Sequence, residues 1–362
     1  MLHYNVKTFK ENISTKDYTD YVLGADIGGT HTNISVAGVK KSMPEVLYSL
    51  LFNTSELDSI MPAINQTLKY GKENYDINVK YGCFAAAGIV SHNQDFASLT
   101  NSLLKIDTNL ILKETDLEDS FVINDFQAIG YGLNVINEEN SKDILTIKEK
   151  NRKDDYQNKT KALIGAGTGL GKCILVYDDN KNFYRPLPSE GGHSDIPVYD
   201  HLGMKLLTYI KNRHNRSKPV NYEDLLSGQG LENIYFFIQN SEKIKPTKYT
   251  KEIASSKDKP ALISEYRNVD ETCKKTFELF TLFYARCAKN FVLDALSVGG
   301  LYIGGGIASK NTDIFNSKKF LNEFINADKR DDFLKKVPIY IIKNYDISLH
   351  GSCFAAISKY LR

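Results

Sequence analysis

The sequence predicts an α/β protein of two related domains with sheets flanked by helices, and three observations predict it. A strand, a glycine-rich turn and a returning strand occur twice, near residue 26 and near residue 168. Each copy is followed by short apolar runs that alternate with segments of helical periodicity, the pattern of helices layered on sheets. The length, 362 residues, suffices for two or three domains at roughly 100–200 residues each. The match between the two copies is one of pattern and not of sequence identity. It predicts two α/β domains facing one another across a cleft.

Residues 1–20 read as a polar tail. Tyr21-Val22-Leu23-Gly24-Ala25-Asp26-Ile27 is a short apolar strand running into Gly28-Gly29-Thr30, and 33–39 alternates as the returning strand. Leu57, Ile60, Met61, Ile64 and Leu68 fall at helical spacing. Residues 81–89 and 121–123 read as strands, the second leading into Asn124-Asp125 and a helix. The stretch 137–160, rich in Asn, Lys, Asp and Glu, reads as a surface excursion near a domain boundary. Lys161-Ala162-Leu163-Ile164 opens the second copy, with its turn over 165–171 and its return over 173–176. A long apolar-periodic helix over 272–296 follows, then strands at 301–303 and 337–342.

Composition excludes several classes. The 46 basic and 44 acidic residues nearly cancel, which gives no support to nucleic-acid binding. A phosphate binder of this composition must use local backbone donors and a metal. Five cysteines form no CxxC pair, and their odd number argues against a disulfide framework. No apolar run reaches the roughly 18 residues that span a membrane, and the first twenty lack a signal peptide's apolar stretch. A cytoplasmic enzyme is expected by elimination.

Consecutive glycines between strands expose N–H groups that can cradle an anion. Two common phosphate motifs fail. The Walker pattern ending at Gly171-Lys172 has Ala166 for its first Gly and Cys173 for Ser/Thr. The dinucleotide fingerprint from Gly165 fails at Leu170, and a strand follows where a helix is required. The second turn therefore reads as a β-hairpin phosphate clamp. Asp26, at the end of its strand, can hold a hydrated Mg²⁺ against phosphates or simply cap the turn.

Asn124-Asp125 follows an apolar strand, where an Asp can act as general base for a hydroxyl or can serve as an ordinary cap. In Ser189-Glu190-Gly191-Gly192-His193, two glycines let a loop fold tightly and aim a carboxylate and an imidazole one way. That pair suits adjacent sugar hydroxyls; a metal site or a buried, satisfied His are the other uses. No Cys-rich cluster accompanies it. Glu223 and the turn Thr100-Asn101-Ser102 carry no signal of their own.

The blocks at 26–33, 124–125, 165–171, 187–195, 226–231 and 303–307, in this order, resemble the bacterial-type glucokinase family. The resemblance runs from about residue 21 to residue 362. It implies the actin-like ATPase and sugar-kinase fold, two ribonuclease-H-like domains with mixed sheets. It returns 344–362 to a small domain of 21–135 and leaves 136–343 as the large one. It implies ATP and Mg²⁺ as cofactors, glucose as substrate, a homodimer, and transfer of the γ-phosphoryl group to the 6-hydroxyl. By the same resemblance Asp125 is the base, and Asn101, Asn124, Asp125, Glu190, His193 and Glu223 bind glucose. Asp26, Gly28, Gly29, Thr30, Thr32 and Asn33 form the first phosphate turn, with Asp26 the Mg²⁺ ligand through water. Gly167, Thr168 and Gly169 form the second turn, and Gly304, Gly305 and Gly306 the adenosine loop. His31 and Ser189 depart from the family's usual Asn and Gly, and 346–352 follows its closing block only loosely.

A kinase for another hexose would share each of these features. A sugar sensor would need a DNA-binding helix-turn-helix, which 1–20 cannot supply. An actin-like ATPase has no need of Glu190 and His193.

Overall fold

The computed structural model describes residues 2–100, 102–151, 156–242 and 244–362. They form two units. The first comprises Met1–Asn140, Val176–Pro188 and Asn344–Arg362, and the second Ser141–Leu175 and Ser189–Lys343.

The first unit carries β1 (Asn5–Thr8), β2 (Tyr21–Ile27), β3 (His31–Lys40), β4 (Met43–Asn53), β5 (Tyr81–Ala86), β6 (Gly88–Val90), β7 (Phe96–Leu99), β8 (Lys105–Asp107) and β9 (Asp119–Asn124). Six of these make one sheet in the order β1, β4, β3, β2, β5, β9, and β6, β7 and β8 make a small antiparallel sheet. β2 is buried along most of its length because β3 flanks it antiparallel and β5 parallel. This is why it reads as a continuous apolar run and not as an alternation.

The parallel strands decide where chemistry can sit. β2, β5 and β9 run the same way, and Ile27, Ala86 and Asn124 stand level across them. The turn after β2 and the Asn124-Asp125 pair after β9 therefore leave the same carboxyl edge of one sheet, where open α/β sheets bind ligands.

Helix Ile347–Tyr360 lies across this sheet and against helix Asp125–Gly132. It is buried almost all round, and its buried residues are apolar or small, three serines among them. Two glycines permit the crossing. A Cβ at Gly351 would lie 1.8 Å from the Ala128 carbonyl oxygen, and one at Gly132 would lie 2.4 Å from that of Ile347. On the sheet side, a Cβ at Gly24 would meet Cys353 Sγ at 2.4 Å.

A second six-stranded sheet takes β10 (Ile144–Lys148), β11 (Lys161–Ala166), β12 (Leu170–Asp178), β13 (Phe183–Ser189), β14 (Gly300–Gly304) and β15 (Ile339–Ile342), in the order β10, β15, β14, β11, β12, β13; of these, β10, β11, β14, β15 and the start of β12 belong to the second unit. Reading β13, β12, β11, β14, β15 beside β4, β3, β2, β5, β9 gives the same order twice, which is the duplication expected from the two glycine turns. β11 and β14 are parallel with Gly165 level with Gly304, so two glycine loops again share one carboxyl edge. The core is built on helix Glu271–Asp294, capped by Asp270, whose carboxylate accepts the Cys273 N–H at 3.0 Å. Tyr284 of this helix packs edge-on to Phe315 with centroids 4.9 Å apart, and Phe315 packs on Phe320.

Three expectations need correction. Residues 1–20 are not only a tail, because β1 pairs with β4 at the sheet edge. All four β1 residues are exposed, which erases any alternation signal. The polar stretch 137–160 contains β10, an edge strand pairing with β15. Its Lys148 donates to the carbonyls of Leu334 and Val337, both at 2.9 Å. Segment Val176–Pro188, expected in the large domain, belongs to the first unit. There Phe183 packs edge-on to Phe354, and Asn134 exchanges hydrogen bonds of 2.9 and 2.7 Å with the Tyr184 backbone. Among the described residues, no helix is long and apolar enough to cross a membrane. All five cysteines are buried thiols.

Gly351→Ala is expected to destabilise the protein by at least about 2 kcal/mol, because the opposing atoms are backbone and cannot swing away. Urea denaturation with an unchanged m value checks it.

Candidate functional site

In the first unit, the turn between β2 and β3 is closed by Gly28 N–H donating to the His31 carbonyl at 2.9 Å. Asp26 and Ile27 pair with Asn33 and Thr32 across it. The N–H groups of Gly29 and Thr30 have no hydrogen-bond partner among the described residues, so the tip presents two consecutive backbone donors. Thr32 differs from its expected role of facing the nucleotide. Its side chain is fully buried, and its hydroxyl lies 2.9 Å from that of Thr54. The Asn33 Oδ1 is buried with no partner among the described residues.

Asp26 is half-buried. Desolvation pushes its carboxyl up to about 6, with the Ser348 hydroxyl opposing and the Asp346 carboxylate adding to the rise. Among the described residues no cation pairs with this carboxylate, and Mg²⁺ bound through one or two carboxylates and substrate phosphates is the chemistry such a donor fits.

Asn124 caps helix Asp125–Gly132. Its Oδ1 accepts the Phe126 N–H at 2.8 Å, and Gln127 Oε1 accepts the Asn124 N–H at 3.3 Å, a full capping box. Asp125 is the first helical residue and half-buried, with Oδ1 2.9 Å from the Phe126 nitrogen. Asn101 lies outside the described residues. Its neighbour Thr100 donates its N–H to the Ala87 carbonyl at 3.1 Å.

In the second unit, the turn between β11 and β12 is closed by Gly167 N–H donating to the Gly169 carbonyl at 2.8 Å. The N–H groups of Thr168 and Gly169 have no partner among the described residues. Gly304 ends β14, and Gly305 follows with φ +88°. A Cβ there would stand 2.4 Å from the Ala166 carbonyl oxygen, so only glycine fits beside β11.

The loop with Glu190 and His193 folds onto β12. A Cβ at Gly192 would lie 2.0 Å from the Leu170 carbonyl oxygen. Glu190 and His193 are exposed, with carboxylate oxygen and imidazole Nε2 3.8 Å apart. Glu223 completes the group, its Oε1 4.0 Å from His193 Nδ1.

Glu223 does more than sequence reasoning gave it. Its Oε2 accepts the Leu170 N–H at 2.8 Å, and its own N–H donates to the Gly192 carbonyl at 3.0 Å. Further along, Gly228 N–H donates to the Gly167 carbonyl at 2.9 Å. Segment 222–228 thus straps the Glu190 and His193 loop to the second glycine turn. A Cβ at Gly169 would meet Glu223 Oε2 at 2.5 Å, so a larger residue there would push the Glu223 carboxylate aside. Glu190, His193, Glu223 and residues 167–169 are brought together in this unit. Asp26, residues 28–33, Asn124 and Asp125 share one sheet edge in the other.

Gly192→Ala is expected to lift its loop from β12 and to cost about 2 kcal/mol. Limited proteolysis should then cut faster within 189–194. Gly167→Ala, whose Cβ meets nothing within 4 Å, should be close to neutral.

A family model described as Glucokinase matches residues 23–359. A glucokinase from a Nostoc species is 30% identical over 349 residues, spanning 92% of this chain and 98% of the relative. The crystal structure of a glucokinase from an Antarctic psychrotroph superposes with a TM-score of 0.76 at 25% identity, over 93% of this chain and 98% of that one. A glucokinase from Balamuthia mandrillaris, solved in complex with glucose, shares the fold with a TM-score of 0.75 at 20% identity, covering 93% of each chain. With the doubled sheet topology and both glycine turns in place, the chain belongs to the glucokinase family.

Proposed function

We propose that this chain is an ATP-dependent glucokinase in which Asp125 takes the proton of the glucose 6-hydroxyl as that oxygen attacks the γ-phosphorus. Beside the family, the observation that carries the assignment of roles is the register across the first sheet. It brings the Asp26 turn and Asp125 to one carboxyl edge. Phosphoryl transfer needs positioning and charge neutralisation more than covalent help from the protein. The chain supplies the first through a carboxylate fixed at the start of a capped helix. It supplies the second through paired backbone donors at Gly29 and Thr30 and at Thr168 and Gly169.

Asn124, Glu190, His193 and Glu223 are the groups we assign to the sugar hydroxyls, with Asn101 as a further ligand. Glu190 and His193 suit this because they are exposed side by side. We assign the adenosine to the loop of Gly304, Gly305 and Gly306. Asp26 would hold Mg²⁺ through water, and that ion when bound would offset the charge of the β- and γ-phosphates. Family likeness is the support for a homodimer, and five buried thiols with an ATP donor agree with a cytoplasmic setting.

Glucose 6-phosphate should form in a coupled assay with ATP and Mg²⁺. A panel of fructose, mannose and N-acetylhexosamines at fixed ATP tests the sugar assignment. Asp125→Ala should lower kcat by at least about 10²-fold, the worth of a general base, with little change in glucose binding. Near-normal turnover in that variant would reject its role. Glu190→Gln should instead raise the glucose KM about tenfold, as expected where a charged hydrogen bond to substrate is lost.

A further inference from the structure

We propose that Thr54, which no motif singles out, is a positioning residue that aims the first glycine turn at the phosphates. This role rests on reading that turn as a phosphate site. Thr54 follows β4 and is 1% exposed. Its hydroxyl donates to the Gly28 carbonyl at 2.8 Å, and its N–H donates to the Thr30 carbonyl at 2.9 Å. Having given its proton to Gly28, the Thr54 oxygen accepts one from Thr32, 2.9 Å away. A buried chain of hydroxyls thus ends on the turn and pins two of its carbonyls.

The consequence follows from the peptide bond. In a planar trans peptide, C=O and N–H point in opposite directions. Drawing the Gly28 carbonyl toward Thr54 turns the Gly29 N–H away from it. That N–H is one of the two at the tip without a partner among the described residues. Without the hydroxyl, the half-buried Gly28 carbonyl loses its donor, and the Gly28-Gly29 peptide is free to rotate. Thr54 touches no reacting atom and acts only through the turn.

The test is steady-state kinetics of Thr54→Val and Thr54→Ser, with ATP varied at saturating glucose and glucose varied at saturating ATP. Thr54→Val, near in shape but without the donor, should lower kcat/KM for ATP about tenfold. Its glucose KM should stay within about twofold, and Thr54→Ser should restore all values to within about twofold. A merely structural residue would disturb both substrates alike. Unchanged ATP kinetics in Thr54→Val, an equal loss for glucose, or failure of serine to rescue would overturn the proposal. If Thr54→Val does not fold, Thr32→Val carries the test, because it removes only the outer bond. A loss of about threefold confined to ATP would support the role, and no loss would overturn it. Gly29→Val separates the two claims. If it abolishes ATP use while Thr54→Val does nothing, only the role of Thr54 falls. If it leaves ATP use intact, the phosphate reading of the turn falls too.

Discussion

The backbone contact between helices Asp125–Gly132 and Ile347–Tyr360 is the constraint on which the first unit depends. Asp125 is the first residue of its helix, so its place is fixed by where that helix lies on the sheet. Gly132 and Gly351 let the two helices approach until a carbonyl of each lies where the other's Cβ would stand. Such an approach leaves no play between them. The same closing helix reaches β2 through Cys353 at Gly24 and puts Ser348 and Asp346 near Asp26. The carboxylate assigned as base and the carboxylate assigned to the metal are thereby referenced to one rigid element.

The second unit solves a similar problem with hydrogen bonds. Glu223 and Gly228 tie the second glycine turn to the loop of Glu190 and His193, and Gly192 seats that loop on β12. Groups assigned to the sugar and groups assigned to the nucleotide thus share one strap. Glu223 is assigned as a sugar ligand and also accepts a turn N–H, so a hydroxyl bound to it would be felt at Leu170 without any helix having to move.

Much of this was legible in the sequence. Both glycine turns, their flanking strands and the long helix at 271–294 follow from period and punctuation, because local backbone preference decides them. What escaped was settled at long range. Glu223 has no local signal because its partner Leu170 lies 53 positions away. Thr54 looks like any threonine after a strand, and its importance depends on a turn 26 residues earlier. Strands β1 and β10 were hidden because they are short edge strands whose residues do not alternate cleanly between apolar and polar. The departure at Ser189 proved mild, since its hydroxyl accepts the Gly191 N–H at 3.1 Å and supports the loop.

The first unit is assembled from three separate stretches of chain, the last of them at 344–362. During synthesis the amino-terminal strands leave the ribosome long before the helix that covers Cys83, Ala85 and Ile123 has been made. Until residues 344–362 emerge, a nascent sheet must carry an uncovered apolar face. The order of translation therefore makes this half of the molecule the later one to mature, although most of it is encoded first.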